Sequence, residues 1–405
     1  MSNIVKDFTE AALAQGNGIL HLSPTWVPRS FLVPGRRLKL HPDDLYILGT
    51  QRGGIDERWL ASTTKAYNGP LTPDDEGLSY VVYGKQKYTL RDVIKCCGDI
   101  ILGKDIMEKY GGWKIYAKFF DNMEPIPHHV HQMDEHAKNV GMEGKPEAYY
   151  FPVQLNTIKN TFPYTFFGLE PGTSKQDLIN CLKNWDRGDN GILDFSKAYR
   201  LKPGTGWLLP AGILHAPGTL LTYEVQWASD ILSLFQSMVG DKFIDKELLT
   251  ISVPPERKND YDYIVSMLDW EKNTIPDFKE KFYRIPKAVD LNTMSLGYIE
   301  KWVVYGKIDN KEYFSAKELT VDPKAKAIIS DKGAYGLVAV QGIGKINGVG
   351  VSSPTQIRYG EVTDDEFFIS YAAAKKGVEI ENTANEPLVM LKVFGPDTNP
   401  DMPEG

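Results

Sequence analysis

Gly, Pro, Asn and Asp cut this chain into short runs rich in β-branched and aromatic residues, and that punctuation limits its fold more than any other feature. Tyr80-Val81-Val82-Tyr83, Trp113-Lys114-Ile115-Tyr116-Ala117, Leu221-Thr222-Tyr223-Glu224-Val225 and Lys301-Trp302-Val303-Val304-Tyr305 are four such runs. Alternating apolar and polar side chains put one strand face in a core and the other outside it. Leu337-Val338-Ala339-Val340, Phe367-Phe368-Ile369-Ser370 and Leu388-Val389-Met390-Leu391-Lys392-Val393 continue the rhythm near the C-terminus. Many short strands with turns between them indicate sandwiches or barrels, so the expected class is mainly β.

Three stretches break the rhythm. Thr89 is expected to cap a helix whose Leu90, Val93, Ile94 and Cys97 form an apolar stripe. Ser174 is expected to cap another, with Leu178, Ile179 and Leu182 buried. Residues 241–290 mix helical runs such as Tyr263-Ile264-Val265-Ser266-Met267-Leu268 with Pro254, Pro255, Pro276 and Pro286, and read as a helical connector. At 405 residues the chain suits two or three domains. The expected division is an N-terminal, metal-binding domain over 1–240 (core about 110–240), the connector, and a β domain over 291–405. Gly342, Gly344 and Gly348 lack phosphate-loop spacing and no helix follows, so they read as hairpin turns.

Composition excludes several functions. A net charge of −7 without a dense Lys/Arg tract argues against nucleic acid. No apolar run approaches the ~18 residues that span a bilayer, and the first residues lack the basic-then-apolar order of a secretory signal. Cys96, Cys97 and Cys181 fit neither a disulfide framework nor a cysteine zinc site. A cytoplasmic location is expected.

Five of the seven histidines, His128, His129, His131, His136 and His215, lie in or beside two segments. In a strand, His129 and His131 share a face about 6 to 7 Å apart, close enough to converge on one ion. Glu147 opens the run Glu147-Ala148-Tyr149-Tyr150-Phe151, and His215 follows the turn made by Pro210 and Gly212. Three imidazoles and a carboxylate form a divalent-metal set. His128 alternates to the other face, where it is structural or exposed; His136 sits in a loop and reads as solvated. No histidine follows His215, so the C-terminal domain cannot repeat the site.

Val130-His131-Gln132-Met133-Asp134-Glu135, Gly144-Lys145-Pro146-Glu147-Ala148-Tyr149-Tyr150, Phe167-Gly168-Leu169-Glu170-Pro171-Gly172-Thr173-Ser174-Lys175, Pro210-Ala211-Gly212-Ile213-Leu214-His215-Ala216 and Glu224-Val225-Gln226-Trp227-Ala228-Ser229-Asp230 occur in this order. They are similar to VHPDDE, GKTExWY, YGLxPGTTK, PAGTxHA and EIQxxSD of class I mannose-6-phosphate isomerases, in the cupin superfamily. The resemblance runs from about Ile55 to residue 230. It implies two cupin-type jelly-roll barrels, the second without a metal site, and interconversion of an aldose and a ketose through an enediol. It also implies a divalent metal, zinc first with Mn, Fe, Ni or Co accommodated, on His131, Glu147 and His215. Lys145 then falls near the sugar, with Glu224 and Asp230 as acidic groups on the pocket wall.

Two positions depart from the family. His129 stands where it usually has Gln, giving the three-His, one-Glu set of other cupins. Its catalytic arginine, ten residues after the EIQ glutamate, falls on Leu234. Another cation then serves (Arg52, Arg58 and Arg91 lie upstream), or the substrate lacks a phosphate, or the reaction differs.

Isomerisation needs a base for the proton alpha to a carbonyl, and a divalent cation to stabilise the enediolate. Lys145 shares a face with Glu147, and beside a cation its pKa would fall into the range of a base. The bland alternative is a solvated loop lysine. Glu224 is the second acid/base candidate, set against a role orienting a metal-bound histidine. Tyr149, Asp134 and Asp230 complete the substrate-pocket candidates, with Asp134 tethering the loop after the HxH strand and Tyr149 open to a packing role. The expected partner is a small carbohydrate, with no nucleic acid or membrane. The competing readings are a metal cupin of other chemistry, dioxygenase or lyase, and a sugar-binding cupin without catalysis.

Overall fold

The computed structural model describes residues 2–158 and 162–405. Its strands form two sandwiches. In the first, a seven-stranded antiparallel sheet runs Tyr283–Arg284, Gly206–Leu209, Glu147–Tyr150, Thr222–Trp227, Ile115–Phe120, Gly54–Leu60, Thr25–Arg29. A five-stranded sheet runs Ser196–Arg200, Tyr164–Leu169, His215–Ala216, His129–Val130, Ser233–Leu234. Phe120, Tyr149, Phe167 and Trp207 fill one end of the interior.

The second sandwich has a nine-stranded sheet built mostly from residues after 286, with Tyr298–Val304, Ser315–Val321, Leu388–Phe394, Tyr335–Gln341 and Glu366–Ile369 at its centre. A four-stranded sheet closes it. Leu319, Leu337, Met390 and Phe367 meet Ile329, Ile346 and Ile380 in the core between them. Asn347 and Gly348, at φ 47° and 83°, turn one hairpin of that sheet, as left-handed Asn-Gly pairs do.

The two large sheets pack back to back. Phe119, Tyr150, Tyr223 and Val225 of one share a core with Val338, Phe368, Leu391 and Val393 of the other. Period-two alternation makes each strand of the first sheet serve both sides. Tyr149 faces inward while Tyr150 donates to Glu318 across the seam at 2.8 Å. Glu57 faces inward while Arg58 is bound by Asp365 and Glu366 at 2.8 and 3.1 Å.

The sheets also cross the boundary expected at residue 240. Ile19–Ser23 pairs with Glu366–Ile369, and the hairpin Tyr80–Tyr83/Gln86–Thr89 follows at the edge of that same sheet. Strand pairing between residues so distant in sequence leaves no local mark.

Thr89 caps the helix Leu90–Ile101 by accepting from Asp92 N–H, and the expected stripe is buried. Ser174 and Asp177 form a capping box on Lys175–Lys183. The helix Ser2–Gln15, absent from the sequence expectations, packs Val5, Phe8 and Ala12 against the Leu90–Ile101 helix. The connector holds three short helices, Tyr261–Ser266, Trp270–Asn273 and Phe278–Phe282, broken near the prolines. Ile264, Val265 and Leu268 join Leu178, Ile179 and Leu182 over Val130 and Leu214, covering the outer face of the five-stranded sheet.

Candidate metal centre

His215 pairs directly with His129 across two short strands, so both rings point into the first sandwich. His131 lies one residue beyond its strand and turns the same way. The ring centres are 4.0 Å apart for His129–His215, 5.0 Å for His129–His131 and 5.2 Å for His131–His215. One ring nitrogen from each lies within 4.8 Å of the others. The turn before His215 depends on Gly212. Its φ is +84°, and an added Cβ would come within 2.9 Å of the Asp269 backbone nitrogen.

All three rings are oriented by backbone carbonyls. Nδ1 of His129, His131 and His215 lies 2.8, 2.6 and 2.8 Å from the carbonyls of Pro127, Ile231 and Ile213. Nδ1 must donate in these contacts, which leaves the Nε2 lone pairs free for a ligand role. Burial holds His129 well below the usual imidazole range and His131 down to about 4, so both are neutral near pH 7. Glu147 meets them from the opposite sheet, 3.1 Å from His131 Nε2 and 3.0 Å from His215 Nε2. Burial alone would raise its pKa, but His131, Lys145 and His215 overcome that and hold it low. Glu147 Oε2 and His215 Nε2 are buried without a hydrogen bond among the described residues. Imidazole Nε2 atoms converging on a carboxylate, with orphaned acceptor atoms, suit a divalent cation.

Beyond these four groups runs a row of alternating charge. Lys145 Nζ stands 3.1 Å from His131 Nε2, 3.3 Å from Glu147 and 3.5 Å from Glu224. Glu224 reaches Lys118 at 3.3 Å, and Lys118 reaches Glu57 at 2.9 Å. Glu57 meets Arg29 at 3.2 Å, and Arg29 meets Asp230 at 3.2 Å. Trp59 Nε1 donates to Glu57 and its ring stacks on Tyr116. Burial raises Glu224 to about 7, with Lys118 and Lys145 opposing and Glu147 reinforcing. Burial would also raise Glu57, yet Arg29 and Lys118 hold it at about 2.

The cavity beside this row measures about 40 Å³ and is lined by His129, His131, Lys145, Glu224, Asp230 and Tyr149 among others. Of the site residues expected from sequence, His129, His131, Lys145, Tyr149, Glu224 and Asp230 line it; Glu147 and His215 lie behind, against His131 and each other, and Asp134 does not reach it. Asp134 Oδ1 instead accepts from Gly144 N–H at 2.7 Å, tying the loop ahead of Lys145, and its side chain is outside the cavity. Tyr149 lines the wall and donates its hydroxyl to Glu147. Glu224 contacts lysines, not the Nδ1 atoms of the histidines, which carbonyls already occupy. His128 is buried on the other face against Gln236 and Phe166, and His136 is half-buried beside Ser266.

None of the three arginines weighed from sequence reaches the site. Arg52 binds Glu76, Arg58 turns to the second sandwich, and Arg91 is exposed on its helix. Arg29 lines the cavity instead, and with Glu57 and Lys118 it was missed. The available signal was a charged residue at inward parity in an otherwise apolar strand, as in Ile115-Tyr116-Ala117-Lys118-Phe119-Phe120.

No protein-family model and no curated protein sequence matches this chain. Its fold, however, is that of solved mannose-6-phosphate isomerases. The Bacillus subtilis mannose 6-phosphate isomerase superposes with a TM-score of 0.57 at 17% identity, covering 93% of this chain and 99% of that one. A zinc-bound mannose 6-phosphate isomerase gives 0.59 at 14%, with coverages of 93% and 99%. The Salmonella typhimurium enzyme, bound to its substrate and a zinc atom, gives 0.58 at 13%, again with 93% and 99% covered.

Proposed function

We propose that this protein is a metal-dependent isomerase that interconverts an aldose and a ketose, as a sugar or sugar phosphate, by moving a proton between adjacent carbons. The observation that carries the reading is the position of Lys145, whose ammonium touches a ligand imidazole, the ligand carboxylate and Glu224 in one cavity. His129, His131, Glu147 and His215 hold the divalent ion, with zinc first and Mn, Fe, Ni or Co accommodated by the same donors. When bound, such an ion supplies a Lewis acid that lowers the cost of negative charge on a sugar oxygen.

The remaining work belongs to the chain's own side chains. Glu224, raised to about 7, takes the proton from one carbon and returns it to the next, since a proton carrier works best with a pKa near the working pH. Lys145 donates hydrogen bonds to the reacting oxygens and steadies Glu224 when it is ionised. Tyr149 fixes the Glu147 carboxylate, and Asp230 keeps Arg29 on the wall. The half-exposed Phe31 and Leu32 at the mouth limit water.

The partner in this reading is a small carbohydrate, with neither nucleic acid nor membrane. Among the described residues no helix is long and apolar enough to cross a membrane. A cytoplasmic location is part of this reading.

The test is a turnover screen of the metal-loaded protein on free and phosphorylated hexoses and pentoses. Ketose formation with uptake of solvent deuterium at C2, abolished by EDTA, is expected for at least one pair. A panel that stays blank with Zn, Mn, Fe, Ni and Co would sink the reading.

A further inference from the structure

The cavity wall carries three cations, and each is already engaged. Lys145 is shared by Glu147 and Glu224, and Lys118 by Glu57 and Glu224. Arg29 commits its donors to Glu57, to both oxygens of Asp230 and to Asn68. Arg29 is 5% exposed, and pulling it from these partners would strand the buried Asp230 carboxylate and leave Glu57 to Lys118 alone. The half-exposed mouth is apolar, made by Phe31, Leu32, Ile126 and Leu232, with Pro217 and Leu234 deeper. No unengaged cation lines the cavity among the described residues.

A phosphate ester brings about −1.5 to −2 charge and acceptor oxygens only, so it needs donors that are not already bound. A hydroxyl both donates and accepts. It fits between a carboxylate and an ammonium of the alternating row without unpairing either. The space of about 40 Å³ behind the mouth has room for about three waters at roughly 10–15 Å³ each, so it takes the hydroxyl-bearing, reacting end of a sugar. The far end of the molecule then lies against the apolar mouth, where a phosphate finds no cation among the described lining residues.

We infer that the substrate is an uncharged polyhydroxylated sugar without a phosphate ester, selected by the alternating row from Lys145 to Asp230 and by the apolar mouth. This rests on the isomerase reading, and the test separates the two. Full-length, zinc-loaded protein is titrated calorimetrically with free hexoses and pentoses and with their terminal phosphates, and the same panel is assayed for turnover. The free sugar is expected to bind at least about tenfold more tightly than its own phosphate, a gap of about 1.4 kcal/mol, with kcat/KM in the same order. Tighter binding of the phosphate, or no binding of any free sugar at millimolar concentration, overturns the inference. Turnover that prefers phosphates overturns it while leaving the isomerase intact. Tighter binding of free sugars without turnover supports it and removes the isomerase. Leu232→Arg, at the half-exposed mouth, is expected to shift the ratio toward phosphates by about tenfold with melting unchanged, and an unmoved ratio counts against the mouth's role.

Discussion

Arg29 and Glu57 sit on neighbouring antiparallel strands with guanidinium and carboxylate 3.2 Å apart, both almost wholly buried. A bulge between Val27 and Pro28 in the register of this pair accompanies the turn of Arg29 toward Glu57. Arg29→Met would leave Asp230 a buried charge without its guanidinium, and Glu57 with Lys118 in place of two cations. The expected loss is roughly 3–5 kcal/mol in urea denaturation at pH 7. Arg29→Lys should fall between, since one ammonium cannot replace the fork that spans two carboxylates. Wild-type stability in the Met variant would mean that the row of charges does not exist as described.

Glu224 gives a pH signature. Its carboxyl is raised from an ordinary 4.5 to about 7 by burial, so the folded chain binds the proton more tightly than the unfolded one. Its contribution is therefore full below about pH 4.5 and is lost as pH rises through about 7, by roughly 3 kcal/mol at most. Glu224→Gln keeps a neutral group there. In metal-free protein, the melting temperature of the variant relative to wild type should climb between pH 5 and pH 8. A flat difference would show that the group titrates in its usual range.

Metal binding should be stoichiometric, one ion per chain, and should raise the melting temperature with free ion concentration. At 100 times the Kd the gain is about 2.7 kcal/mol, reversed by EDTA. His215→Ala and Glu147→Gln should each weaken affinity by more than the roughly 10–100-fold that loss of an outer hydrogen bond costs. His128→Ala should leave affinity unchanged, because His128 faces Gln236 on the other side.

Lys145 and Glu224 should separate binding from chemistry. Lys145→Gln and Glu224→Gln are each expected to lower kcat by roughly 10²–10⁴-fold, the range for a positioned proton-transfer group, while metal content stays at one ion per chain. Loss of metal in either variant would reassign that residue to holding the ligand cage.

The convergence of the three histidines was legible because alternation along a strand is local. His129 and His131 share a face by spacing alone, and Glu147 and Lys145 follow the same parity. Helix caps at Thr89 and Ser174 were legible for a similar reason, since each bonds within three residues. Arg29 and Glu57 were not, because their partners lie across a bulge and, for Asp230, 201 residues further along. Asp134 was misplaced because its motif position says nothing about which way a short helix turns it. Arg58 shows the same limit from the other side: its charge was visible, but not that it faces a different sandwich from Glu57.

The strand Ile19–Ser23 binds the beginning of the chain into a sheet whose next member is Glu366–Ile369, roughly 350 residues later. During synthesis one edge of this segment can pair with Tyr80–Tyr83, while the other stays open until nearly the whole polypeptide has emerged. Slow folding is expected from pairing at such separation. Severing the chain near residue 240 should therefore not release two independent lobes: the first would carry Ile19–Ser23 with the edge that meets Glu366–Ile369 uncovered, and the second would lose three of the nine strands of its largest sheet. The molecule should melt as one unit, closed upon itself like a clasp.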